Sequence, residues 1–140
     1  MIKKIKSLFQ KYTQPEIILR KTDSLLQIHL CINDKSRAKI VCVIKSDNSI
    51  LISDITNVRG ECCKGYGSLM MDELLSYAER NGHTYLFGNL SVVDMDHADR
   101  LHHFYEKFGF SITIYDEYQG LYYGKIEKYL GEKCSKGEEY

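Results

Sequence analysis

Two glycines one residue apart, Gly65 and Gly67, stand directly before an apolar helical stripe in the segment CCKGYGSLMMDELLSYAERNG, residues 62 to 82. Glycine lets backbone N–H groups turn toward a guest that a Cβ would hold off. The start of a helix adds unpaired N–H groups and a partial positive charge of roughly half an elementary charge. The natural occupant is an anion, and a phosphate fits best. Backbone N–H groups from Cys63 through Lys64, Gly65, Tyr66 and Gly67 to Ser68 would hold it, with Lys64 either a further point charge or a solvated loop lysine. The rival phosphate loop of nucleotide hydrolases needs Gly-Lys-[Ser/Thr] in that order, whereas Lys64 precedes Gly65 here.

Other reactive side chains are weighed against plainer roles. Tyr105 falls at the edge of a helical stripe of Leu101, Phe104 and Phe108, so its ring can pack while the hydroxyl reaches a cleft. His102 and His103 are adjacent on the same predicted helix and point in different directions, which spoils a shared metal site and leaves a solvated or capping role for them and for His97. Cys62 and Cys63 stand beside a helix start, where thiolates are favoured, but no neighbouring base is identifiable. The five cysteines, at 31, 42, 62, 63 and 134, contain no CxxC pair and leave an odd one over. That argues against a disulfide framework or a zinc site and predicts a reducing, cytoplasmic setting without a metal.

The elements that must position these residues are readable in outline. LLQIHLCI from Leu25, AKIVCVIK from Ala38 and SILISDITNV from Ser49 read as strands separated by short polar turns, which predicts an antiparallel meander. Met70, Met71, Leu74, Leu75 and Ala78 give one helical face, and the Asn81-Gly82 pair supplies its stop. TYLFGNLSV reads as a strand, so the segments around residues 51 and 86 should lie parallel across the helix. A second helix is expected with Asp96 as its cap and Asp99 three residues on, ending at Gly109. The rest reads as a hairpin around DEYQG. At the start, Ile2, Ile5, Phe9 and Tyr12 share one face of a short helix whose other faces carry lysines.

The composition bounds the class. With 140 residues, 44% hydrophobic and 27% charged, the chain is long enough for one core and too short for two. A single domain over residues 1–130 with a polar, disordered tail over 131–140 is expected. A formal net charge of +0 points away from nucleic acid as the main partner, and no apolar run approaches the ~20 residues of a membrane span.

DITNVRGECCKGYGSLMMDELLSYAERNG, followed by RLHHFYEKFGF, resembles the GNAT superfamily of N-acetyltransferases over residues 49 to 110. The family's [Gln/Arg]-x-x-Gly-x-[Gly/Ala] signature falls on Cys62 to Gly67, with Cys62 where Gln or Arg is usual, and its Tyr-x-x-x-Gly-Phe pattern falls on Tyr105 to Phe110. The resemblance implies a mixed α/β (α+β) fold, its mostly antiparallel sheet splayed in the middle and flanked by helices, with acetyl-CoA as cosubstrate. It implies that Ile55, Thr56 and Asn57 border the pantetheine arm, with the N–H near Asn57 facing the thioester carbonyl as an oxyanion donor. Tyr105 would then protonate the departing CoA thiolate as general acid. A lysine-like amine has a pKa of about 10.4, so its neutral form costs about 4 kcal/mol at cytosolic pH, and Asp54 is the candidate base acting through water. Alternation along Ile52, Ser53, Asp54 and Ile55 leaves open whether Asp54 turns to the site or to solvent. Relatives often carry Asn and Ala where Ala98 and Leu101 stand, and Asn89, Ser91 or Asp99 are candidates to replace the Asn contact.

The expected activity is acetyl transfer to a primary amine in a ternary complex. Asp54, Asp94, Asp96, Asp99, Asp116 and Glu117 favour a cationic acceptor such as a polyamine, an aminoglycoside or a protein lysine. The short N-terminal region leaves the acceptor side open to a protein, or to completion by a second subunit as a homodimer. A noncatalytic CoA-binding or protein-interaction module on the same scaffold is the alternative, and it predicts binding without turnover.

Overall fold

The computed structural model describes residues 14–57 and 65–131. The predicted N-terminal helix, Cys62, Cys63, Lys64 and the tail from residue 132 onward lie outside the described residues. The chain runs β1 (Glu16–Lys21), β2 (Leu25–Ile32), β3 (Lys35–Ile44), β4 (Ile50–Asn57), α1 (Tyr66–Arg80), β5 (Tyr85–Ser91), a 3-10 turn (Val92–His97), α2 (Ala98–Lys107), β6 (Ser111–Gln119) and β7 (Tyr122–Tyr129).

All seven strands form one sheet in the order β1-β2-β3-β4-β5-β7-β6. Short turns make β1 to β4 an antiparallel meander: Asn33 and Asp34 at φ 52° and 64°, then Asn48 at φ 70°, take the left-handed conformation that Asn and Asp tolerate best among residues with a side chain. β1 was not among the predicted strands. Its EIILRK sequence pairs with β2 and packs Ile17 and Leu19 against the core from the sheet edge.

The α1 crossover makes β4 and β5 parallel, as expected, but only over Ile50↔Leu86, Leu51↔Phe87 and Ile52↔Gly88. Beyond Ile52 the two strands part. β4 continues along β3 to Ala38↔Asn57 with no partner on its β5 side among the described residues, which is the predicted splay. The parting follows a bulge: Ile52 faces Cys42 and Asp54 faces Val41, so Ser53 has no β3 partner and the strand bends.

One apolar cluster ties sheet and helices together. Leu26, Ile28, Leu30, Ile40 and Ile50 meet Met70, Met71 and Leu74 of α1 with no exposed surface, and Leu86, Leu90 and Ile126 extend the cluster across the splay. Each such side chain contributes roughly 1.5–3 kcal/mol on burial. Helix α1 stops at Asn81 with Gly82 at φ 75°, as its Asn-Gly pair predicts.

One local expectation is corrected. Asp96 does not cap the second helix: residues 92–97 form a 3-10 turn in which the Val93 N–H donates to the Ser91 hydroxyl, and α2 begins at Ala98. Asp96 instead accepts a hydrogen bond from the His97 ring at 2.9 Å. The final hairpin turns at Gly120 and Leu121, at the C-terminal end of DEYQG as expected, with β6 running on through Gln119.

Candidate active site

Gly65 sits at the N-cap of α1 with φ 79°, a conformation that disfavours any side chain although nothing crowds the position itself. Among the described residues no side chain caps this helix and no acidic residue lies in its first turn, so its leading N–H groups have no such competitor for an anion there. Gly67 is required for a different reason. A Cβ there would stand 3.2 Å from the Phe104 ring, so the glycine brings α1 against α2. Tyr66 is buried in the core. The Ser68 hydroxyl accepts a hydrogen bond from Lys107 Nζ at 2.7 Å, and that ammonium lies over the Phe104 and Phe108 rings at 5.7 and 5.2 Å. Lys107 therefore adds a full positive charge to the start of α1, a contribution the linear sequence hides because it comes from the end of the other helix.

The open edge of β4 precedes this helix start in the chain. Ile55 packs partly against the core, Thr56 is half-buried, and Asn57 ends the strand opposite Ala38. Their backbone lacks a β5 neighbour, leaving strand-like hydrogen-bonding capacity for an extended guest.

Tyr105 lies on α2, which packs against β6 and the 3-10 turn. Its side chain is 7% exposed and is wedged edge-on against Phe104 and Phe110, at 5.5 Å in each case. Burial pushes its phenol well above the usual tyrosine range, and the negative charges of Asp94 and Asp54, with Cys42 and Tyr123 nearby, push the same way. The phenol is thus held protonated, as a proton donor must be. Among the described residues no hydrogen bond engages its hydroxyl.

The charge of Asp54 acts on the Tyr105 phenol, and so do groups that sequence reasoning did not assign to this spot. Asp54 is exposed, yet its charge reaches the Tyr105 phenol. Asp94, on the 3-10 turn, acts on both Tyr105 and Tyr123 and lies 3.6 Å from His97 Nε2. Tyr123 is 4% exposed, and burial first and Asp94 second raise its phenol. His102 is not a capping or free surface residue: its Nε2 lies 2.9 Å from the Tyr123 hydroxyl. Asn89 is exposed, Ser91 is spent on the 3-10 turn, and Asp116 and Glu117 sit on a stretch of β6 with no β7 partner. Among the described residues no three His, Cys, Asp or Glu side chains are grouped to hold a metal ion, and no helix is long and apolar enough to cross a membrane.

The chain matches the model of the acetyltransferase (GNAT) family over residues 15–110. It is 37% identical over 68 residues to the uncharacterized protein YocC of Bacillus subtilis, a match covering 49% of this chain and 39% of that protein's length. Its fold is similar to PaiA N-acetyltransferase from Thermoplasma acidophilum in complex with coenzyme A (TM-score 0.63, 14% identity, 76% of this chain and 62% of that one). It is similar also to a GNAT family acetyltransferase from Elizabethkingia anophelis with acetyl-CoA bound (TM-score 0.59, 16% identity, 89% of this chain and 83% of that one).

Proposed function

The chain belongs to the acetyltransferase (GNAT) family, and on that premise we propose that it transfers the acetyl group of acetyl-CoA to a primary amine by direct attack in a ternary complex. The observation that carries this reading is Tyr105: a buried phenol, held protonated, on which the charges of Asp54 of β4 and Asp94 of the 3-10 turn both act.

Acetyl-CoA supplies an activated acyl group on a thiol leaving group. The site has features that fit it. The uncapped start of α1, with Lys107 and the loop residues Cys62 to Ser68, is suited to the pyrophosphate. The open edge along Ile55, Thr56 and Asn57 is suited to the amides of an extended arm, and a backbone N–H near Asn57 is suited to the thioester oxygen. Tyr105 then gives its proton to the leaving sulfur. Asp54 and Asp94 set a negative potential at the mouth, which favours an acceptor that arrives as an ammonium ion, and Asp54 is the base acting through water. A reducing cytoplasm agrees with the free, buried Cys31 and Cys42.

The test is release of free CoA thiol from acetyl-CoA over a panel of polyamines, aminoglycosides and lysine peptides, with calorimetric binding of acetyl-CoA in the same preparation. Turnover with at least one amine, falling about 10²-fold or more in Tyr105→Phe while binding is kept, is the expected result. Binding with no turnover on any amine points to the noncatalytic CoA module, and absence of binding refutes the assignment of the glycine loop.

A further inference from the structure

Tyr123 is set apart from the strand that carries it. On the β6 side, pairing jumps from Ile114↔Gly124 to Gln119↔Tyr122, so four residues of β6 stand against Tyr123 alone. On the β5 side, pairing jumps from Leu90↔Gly124 to Ser91↔Tyr122, which again passes over Tyr123. A bulge on both flanks of one residue re-aims its side chain. Here the ring goes into the core, its centroid 5.9 Å from that of His102 and its hydroxyl 2.9 Å from His102 Nε2. His102 and Tyr105 are three residues apart on α2 and share a face. The Asp94 carboxylate acts on both phenols. Two buried tyrosines therefore flank the same ground, one with a free hydroxyl and one backed by an imidazole.

We propose that Tyr123 and His102 are the acceptor-side proton path of the transfer, a reading that rests on the acetyltransferase function above. The acceptor ammonium, drawn in by Asp94, gives one proton to Tyr123 Oη while Tyr123 gives its own to His102 Nε2. The neutral amine then uses its lone pair to form the N–C bond to the thioester carbonyl, and the C–S bond breaks with its electron pair going to sulfur. Tyr105 protonates that sulfur and recovers a proton from the nitrogen of the new amide. The imidazolium passes its proton to solvent from the half-buried ring. The balance is one ammonium and one thioester giving one amide, one thiol and one proton. Tyr123 is the group that meets the acceptor, and His102 acts through it. The titratable groups on the elements around the pair include Asp94, Asp96 and His97 of the 3-10 turn, Asp99, His103, Tyr105 and Glu106 of α2, Tyr115, Asp116, Glu117 and Tyr118 of β6, and Tyr122, Lys125 and Glu127 of β7.

The path requires His102 Nε2 to be bare at neutral pH, so that Tyr123 donates to it. Long-range ¹H–¹⁵N spectra of histidine-labelled protein, assigned with His102→Gln, report that tautomer without reference to activity. The expected result is a proton on Nδ1 only, and a neutral ring protonated on Nε2 overturns the proposal. In thiol-release assays, His102→Gln keeps a hydrogen-bonding side chain beside Tyr123 but cannot take up a proton. It should lower kcat at least tenfold and remove the acid limb of the kcat–pH profile while acetyl-CoA affinity stays within twofold. Tyr123→Phe should lower kcat similarly. Wild-type kcat and an unchanged profile in both variants also overturn it. A wild-type protein that turns over no amine removes the acetyltransferase reading and the path with it, whereas a wrong tautomer in an active enzyme removes the path alone.

Discussion

At the scale of single residues, the site depends on keeping polar groups neutral where water is scarce. Tyr105 is held protonated by burial, reinforced by Asp94 and Asp54. The same fact has a consequence for stability. In the unfolded chain a tyrosine ionises near pH 10, while in the fold Tyr105 stays neutral above that value. From about pH 10 upward the unfolded state therefore loses a proton that the folded state keeps, and stability falls as pH rises; below pH 10 the group contributes nothing to the pH dependence. Thermal melts between pH 8 and 11 should show a Tm that declines above pH 10, with a shallower decline in Tyr105→Phe. An identical alkaline slope in the variant would show that this phenol is not the one under strain. Cys42 makes a parallel case. Burial pushes its thiol up to about 12, so it stays a thiol at pH 8. Iodoacetamide should leave Cys42 unmodified in the native protein and modify it after denaturation, as read by peptide mass spectrometry.

At the scale of elements, the contact that matters most is between the start of α1 and the body of α2. Gly67 permits it, and Phe104 and Lys107 complete it, because Lys107 reaches Ser68 across the rings of its own helix. Gly67→Ala puts a methyl group 3.2 Å from Phe104 Cε1, so the helices must part by a few tenths of an ångström. We expect a loss of about 1 kcal/mol in stability, a typical overpacking cost, and weaker acetyl-CoA binding, because the helix start and the ammonium separate. Equal affinity in the variant, measured by calorimetry, would mean that Lys107 is only a surface tether.

Legibility in the sequence divides along the same line. Helix α1, its glycine entry and its Asn-Gly exit are local patterns, and they could be read. So could the parallel crossover, since strand, helix and strand have the right lengths. β1 was missed because EIILRK is a short edge strand without alternation, and its register comes from β2 alone. The Asp96 cap was misread because VVDMDH tightens into a 3-10 turn held by Ser91 and by the Val92 N–H bonding to the Leu121 carbonyl, a partner 29 positions on. Asp94, Tyr123 and His102 carry no local signal as a group. They meet only when β7 comes back beside β5, and the double bulge that turns Tyr123 is a property of two registers rather than of its neighbours in sequence.

At the scale of the whole molecule, the sheet is two half-sheets. Among the described residues the meander β1–β4 and the β5–β7–β6 group share three parallel residue pairs, at Ile50, Leu51 and Ile52, and the helices, the shared core and the Asn48–His83 hydrogen bond supply further links. The gap beyond Ile52 is thus both the proposed binding cleft and the weakest line of the fold. A ligand that lies along β4 and reaches the start of α1 touches the elements on both sides of the cleft and should act as a missing strand. At a hundredfold excess over Kd, binding to the native state alone adds about 2.7 kcal/mol, which for a domain of this size is a rise in Tm of about 10 °C. The location of the effect discriminates more sharply than its size. If acetyl-CoA bridges the cleft, hydrogen exchange should slow at Ile55 to Asn57 and at Asn89 to Ser91, the strand ends that lack each other as partners. The amides of β1 and of the β2–β3 turn, far from the cleft, should keep their free-state rates up to the common change in global stability. Slowing spread evenly over all strands would instead indicate a ligand bound at the helix start alone, with the half-sheets still held together only by the links of the free protein.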